Sequence, residues 1–148
     1  MIENDFDFVN TVAVSIGGRA EREGIEFLSS AEQNVFLVWW ANGIIENGGF
    51  RYFYEGACNT EQVAVAFEVI GLPKAAQACR ETMAVFPAET LAGGFIRCQE
   101  WLNSRYSAEE FSVLFRRQDE VIWALGDELS IVLASYIRQR RAEIAVNI

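Results

Sequence analysis

The feature that most limits how this chain can fold is a helical pattern interrupted by glycine. Phe36, Leu37, Trp40, Ile44 and Ile45 follow the spacing of one helix face. Asn47-Gly48-Gly49 breaks that run, and Phe50, Phe53 and Tyr54 resume at i, i+3 and i+4 on one face of a shorter helix. Asn-Gly signals a hairpin when alternating strands flank it. Here both flanks are helical, so the sequence predicts Asn47 or Gly48 as the left-handed residue that ends a helix. Ahead of the run, Ser29-Ser30-Ala31-Glu32 is a capping-box signature, in which serine accepts from a free N–H and Glu32 reaches back to the cap. The apolar run from Val35 to Ala41 is far short of the roughly 20 residues a membrane span needs.

On either side the pattern stays helical. Phe6, Val9, Ala13 and Ile16 make a face that Gly17-Gly18 is expected to stop, although Val12, Val14 and Ile16 also fit a strand. Residues 19–28 are charged, with a break at Gly24, and read as a turn and part of a helix. Thr60 is read as the N-cap of a helix that faces Val63, Phe67 and Ile70 inward. Gly71-Leu72-Pro73 ends that helix and opens the next, making residues 60–86 an antiparallel pair. Pro87 to Gly94 reads as a loop and Phe95 to Asn103 as a short helix. Ser107-Ala108-Glu109-Glu110 is a second capping box, and the long run behind it is expected to break near Arg117-Gln118-Asp119-Glu120. Arg138, Arg140 and Arg141 close the last helix, where cations complement the helix dipole. There is no repeat, low-complexity tract or linker. The expectation is an all-α fold, a single globular domain over 1–148 with about seven to eight helices in antiparallel pairs.

Composition narrows the function. The 148 residues carry 21 acids against 12 bases, a formal charge of −9. Residues 1–100 hold 14 acids and 6 bases, residues 101–148 hold 7 and 6, so the acidity lies in the first two thirds. That balance opposes direct nucleic-acid binding, which needs Lys and Arg to neutralise phosphates. It suits attraction to basic proteins. Met1-Ile2-Glu3-Asn4-Asp5 has neither a basic n-region nor an apolar h-region, so no signal peptide is expected and the cytoplasm is the expected compartment. No membrane association is expected either.

The residue types leave little room for catalysis. No histidine is present, which excludes His-based triads and His-metal sites. Cys58, Cys79 and Cys98 form no C-x-x-C; Cys79 and Cys98 read as small core residues and Cys58 as the most exposed. Paired carboxylates are the remaining enzymatic option. Glu46 and Glu55 bracket the glycine break, while Asp119, Glu120, Asp127 and Glu128 lie toward the C-terminus. Asp119 and Asp127 fall on roughly one helix face, but no E-x-x-H pair completes a bundle metal site, and solvated charge is the expected role. Gly48-Gly49 lacks the preceding strand and the G-x-x-x-x-G-K of a phosphate loop. No enzymatic activity, metal or cofactor is expected. Among the aromatics, Phe50, Phe53 and Tyr54 read as core, whereas Trp39 and Tyr52 lie off the main faces and are candidate interface anchors.

Two blocks, GIIENGGFRYFYEG and AFEVIGLPKAAQACRETMAVFP, resemble the bacterial DNA-mimic-protein family, with a family-like core over 35–87. That family has an Asn-Gly-Gly-Phe turn entering an aromatic helix, a helix ending in Ile-Gly, then Pro-Lys-Ala and a helix closing on Phe-Pro. The matching residues are Asn47, Gly48, Gly49, Phe50, Phe53, Ile70, Gly71, Pro73, Lys74, Ala75, Phe86 and Pro87. Tyr52 departs from the pattern, which has glutamine there, so the polar role of that position is not carried over. The resemblance implies an all-helical fold and, for some members, binding of DNA-binding proteins through an acidic surface. On that reading the chain is a non-catalytic acidic protein-binding module. Its partner is a basic DNA-binding protein, and a homodimer stays open. The acids nearest the matched motif are Glu46, Glu55, Glu61 and Glu68, and they join Tyr52 as the expected binding residues. Glu61 and Glu68 share a helix face. The alternative is an immunity or antitoxin-like protein that neutralises one specific partner.

Overall fold

A computed structural model describes residues 4–146. Met1 to Glu3, where a targeting signal would begin, lie outside the described residues. Among these residues there are nine α-helices and no strand, in keeping with the all-α expectation. None is long and apolar enough to cross a membrane.

Helix α1 (Asp5–Glu23) starts where the Asp7 N–H donates to Asn4 Oδ1 at 2.8 Å, and buries Val9, Val12, Ala13 and Ile16. The stretch that also fitted a strand is therefore helical. Gly17-Gly18 does not stop it. Interior glycines each cost about 1 kcal/mol against alanine, yet α1 runs through both, and Arg19 beyond them pairs with Glu32 while Ala20 packs against the core. The helix ends instead at Gly24, with φ 98°. A 3-10 turn (Ile25–Phe27) leads to α2 (Ser30–Tyr54), the helix against which most of the others pack.

The predicted capping box is present at the start of α2. The Glu32 N–H donates to Ser29 Oγ at 3.1 Å, and the Ser29 N–H donates to Glu32 Oε1 at 2.9 Å. The structure gives Glu32 more to do than cap. Only 2% exposed, it pairs with Arg19 of α1 and accepts the Ala145 N–H at 3.1 Å. Ser29 Oγ in turn donates to the Glu143 carbonyl at 2.7 Å. One helix start thus binds the end of α1 and the chain's C-terminal segment.

Helices α3 (Thr60–Ile70) and α4 (Pro73–Met83) form the expected antiparallel pair. Gly71 is left-handed, and the Leu72 N–H reaches back to the Phe67 carbonyl at 2.8 Å, closing a Schellman turn before Pro73. Thr60 is not the N-cap; Asn59 takes that place. Thr60 is fully buried, and its hydroxyl donates to Tyr54 Oη at 2.9 Å. Tyr54 Oη lies 2.8 Å from Thr82 Oγ1, which donates to the Cys79 carbonyl at 2.7 Å. Three hydroxyls therefore form one directed chain that ends on the Cys79 carbonyl, because a buried phenol must find partners. Burial pushes the Cys79 thiol up to about 12 and raises that of Cys98 as well, so both are inert core cysteines; Cys58 is half-buried.

The C-terminal third differs from expectation in two places. The stretch read as a loop at 87–94 contains a short helix, α5 (Ala88–Ala92), ahead of α6 (Phe95–Arg105). The second capping box opens α7 (Ala108–Leu114), with the Glu110 N–H 3.1 Å from Ser107 Oγ. The long run then breaks at Phe115 and again at Ala124–Gly126, leaving α8 (Arg116–Trp123) and α9 (Asp127–Gln139). Arg117 to Glu120, the predicted break, lie inside α8.

The reason is Asp119. At Gly49 the backbone of α2 leaves the helical region (φ 73°, ψ −174°), while Asn47 and Gly48 stay helical, so the reversal sits one residue later than expected. The Phe50 N–H just beyond the break donates to Asp119 Oδ1 at 2.7 Å. One turn along α8, Trp123 Nε1 donates to the Ile45 carbonyl just before the break, at 2.8 Å. A helix places i and i+4 on one face, so α8 supplies an acceptor and a donor to the two sides of one break. Gly49 is required twice over. Its φ favours glycine, and a Cβ there would sit 2.6 Å from Asp119 Oδ2. Past the break, Phe50, Phe53 and Tyr54 are 0–1% exposed and meet at edge-on or tilted angles, with Phe50 and Tyr54 also against Phe115 and Tyr54 against Phe86. Asp119 is thus a buried structural group, 8% exposed, and not the solvated charge its sequence context suggested.

Asp119→Ala should cost about 1–3 kcal/mol in chemical denaturation, the penalty for a buried N–H left unpaired. Asp119→Asn, which keeps the acceptor, should recover most of it, and an alanine variant as stable as the parent would contradict the tie.

The two buried carboxylates also carry opposite pH signatures. Burial raises the pKa of Asp119 by more than the Phe50 N–H and Arg116 lower it. Its contribution is therefore complete below the unfolded-state pKa and lost as pH rises through the folded one. Burial also raises the pKa of Glu32, but the Ser29 N–H, the Arg19 guanidinium and the Ala145 N–H together hold it below the ordinary value. Its contribution is present above the unfolded-state pKa and lost as pH falls through the folded one. Glu32→Gln should therefore flatten the acid limb of a urea-midpoint profile below about pH 5, and Asp119→Asn the decline as pH rises through the raised folded-state pKa of Asp119.

Candidate protein-binding surface

With Glu32 and Asp119 committed to the interior, the exposed acids are what remains for a partner. Glu46, Glu55, Glu61, Glu68 and Tyr52 are all exposed. Glu61 and Glu68 lie on the outer face of α3, as their spacing implies, with Gln62, Val65 and Val69 also exposed. What the spacing could not show is the base between them. Arg80 reaches over from α4, with Nη1 2.5 Å from Glu68 Oε2 and Nη2 3.3 Å from Glu61 Oε1. The two carboxylates raise the pKa of Arg80, through hydrogen bonds first and charge second. Two acids against one base leave this face negative, and the shared guanidinium fixes where both carboxylates point. Glu26 extends the region, since it and Glu61 line one cavity of about 470 Å³ with Val65.

Glu55 caps the end of α2 and stands 3.9 Å from Arg51, one turn back, with both side chains about half exposed. Arg51 also lies over the Phe111 ring, 5.2 Å from its centroid. Beside it, Tyr52 (49% exposed) and Glu55 line a shallow cavity with Trp40 and Ile44. Trp39, the other candidate anchor, is half-buried against Phe6, with ring centroids 6.0 Å apart. Glu46 stands elsewhere, in a cleft that also holds Asp127. The structure therefore joins Glu61 with Glu68 and Tyr52 with Glu55, and leaves Glu46 with a carboxylate the sequence reading had not paired with it.

The arginine cluster at the end of α9 is largely engaged internally. Arg138 pairs with Asp5 at 3.2 Å and lies over the Phe8 ring, and Arg140 is 3.8 Å from Glu143. That ties the first helix to the last and removes two cations from the free surface. The Asp119–Asp127 pairing weighed for carboxylate chemistry also dissolves, since the first is buried against α2 and the second exposed at the start of α9.

The model of the DMP19-like protein family matches residues 26–140. That span extends well beyond the 35–87 core of the resemblance and takes in all of α2 to α9, leaving α1 outside. No curated protein sequence and no solved structure matches the chain. By the extent of the family match, the chain belongs to the DMP19-like protein family.

Proposed function

We propose that this protein is a non-catalytic acidic module that binds a basic DNA-binding protein in the manner of a DNA mimic. Family membership supports the class of partner, since the family is one of DNA-mimic proteins. The observation that carries the reading is the α3–α4 face. Glu61 and Glu68 are held outward by a shared base that cannot neutralise both. Seven residues on a helix separate them by about 10 Å along its axis, roughly the rise of three phosphates on one DNA strand. Tyr52 beside Glu55 supplies an exposed aromatic of the kind that anchors interfaces.

Electrostatic binding of this kind depends on charge and on salt. With a captured basic partner, Glu61→Gln/Glu68→Gln should weaken affinity about three- to tenfold at low salt. Arg80→Gln, which frees both carboxylates, should tighten it. All three proteins should converge near 1 M salt, where the screening length is about 3 Å. The partner itself is found by passing host lysate over the immobilised protein and eluting with a salt gradient. Several basic proteins displaced by added DNA support mimicry. One salt-resistant partner indifferent to DNA would instead identify a dedicated inhibitor of the immunity or antitoxin type, and a column that retains nothing would overturn both.

A further inference from the structure

The cleft beside Glu46 has a composition of its own. It lies between α2 and the start of α9, with Phe6 of α1 at its rim, and encloses about 420 Å³. Glu46 and Asp127 line it from different helices, and neither forms an ion pair among the described residues. No lysine or arginine lines it. Trp39 and Phe6 contribute an aromatic pair. Asn42 forms part of the wall at 7% exposure, and its Oδ1 is a buried acceptor with no partner in the protein.

Each of these features selects for positive charge. Two carboxylates attract a cation, aromatic faces bind one through their quadrupole, and an orphaned carbonyl oxygen calls for a donor. The start of α9 opposes this, because a helix N-terminus carries roughly half a positive charge. Two full carboxylates outweigh it, which also argues against an anion here. The planar guanidinium fits best, since it can lie on an aromatic face while its edge donates several hydrogen bonds.

We propose that this cleft is a receptor for an arginine side chain presented by the protein partner. Glu46 and Asp127 hold its charge, and Trp39 and Phe6 its flat face. The proposal rests on the protein-binding reading for its occupant, and it moves part of the recognition away from the Glu61–Glu68 face to a cleft between α2 and α9.

The test needs no partner. N-acetyl-arginine methylamide is titrated into the ¹⁵N-labelled full chain, with the Trp39 indole and Asn42 side-chain amide signals as reporters and the norleucine analogue as control. The arginine probe should shift both signals with a Kd of roughly 1–10 mM, and the norleucine analogue should shift neither. Glu46→Gln/Asp127→Asn should weaken binding at least fivefold; both side chains are exposed, so the fold should persist and the unperturbed spectrum will show that it does. Absent shifts, equal shifts with norleucine, or an unchanged affinity in the double variant would overturn the assignment and leave a water-filled cleft. A normal arginine titration in a protein that captures no DNA-binding protein would instead fail the mimic reading alone.

Discussion

The short hydrogen bond from the Phe50 N–H to Asp119 holds the centre of this molecule together. A helix interrupted in its interior exposes backbone groups that need partners, and in a core there is no bulk water to supply them. Here one turn of α8 meets the need on both sides of the break, through Asp119 and Trp123. Once those groups are satisfied, α2 can change direction at Gly49 and drive Phe50, Phe53 and Tyr54 into the core. Tyr54 then carries the hydroxyl chain that fastens α3 and α4. The helix pair that presents Glu61 and Glu68 is therefore positioned, through three consecutive contacts, by a carboxylate 69 residues from its partner.

Acidic residues in this chain divide into two populations with different physics. Glu32 and Asp119 are buried and serve the fold, Glu32 through several donors and Asp119 through the Phe50 N–H. The exposed ones are spread over several elements, and some share a base. A surface that binds through charge gains from having its carboxylates fixed before the partner arrives, since ordering them on binding costs free energy. Arg80 fixes Glu61 and Glu68 but cancels part of their negative charge, and on the proposed reading the charge is the larger effect. The Glu46–Asp127 cleft has no base in its lining, with Phe6 and Trp39 on its wall, and on the proposed reading it suits one inserted side chain more than a broad basic surface.

Much of the fold was legible because it is local. Both capping boxes, the Gly71-Leu72-Pro73 turn and the aromatic face after Gly49 depend on residues within a few positions of one another, and all are present. The errors arose where distant residues decide. Gly17-Gly18 looked like a stop, but α1 continues through it to pair Arg19 with Glu32 of α2. Thr60 looked like a cap, but the Tyr54 hydroxyl claims it. Asp119 looked like one charge on a solvated face, and the run around it like a break, because nothing within four residues shows the Phe50 N–H that it meets. The same holds at the surface: the shared face of Glu61 and Glu68 follows from helical spacing, whereas Arg80 between them and Asp127 opposite Glu46 belong to other helices. An acid and a tryptophan one turn apart, Asp119 and Trp123, were the only hint of the bridge over the break.

Amide hydrogen exchange at Phe50 tests this account most directly. If the Asp119 tie closes the break, that N–H should exchange only through global unfolding, with the protection of the core amides of α2 and α3. Exchange at the rate of an exposed loop amide, while those helices stay protected, would show the break to be open to solvent and would remove the constraint from which the rest of the structure has been argued.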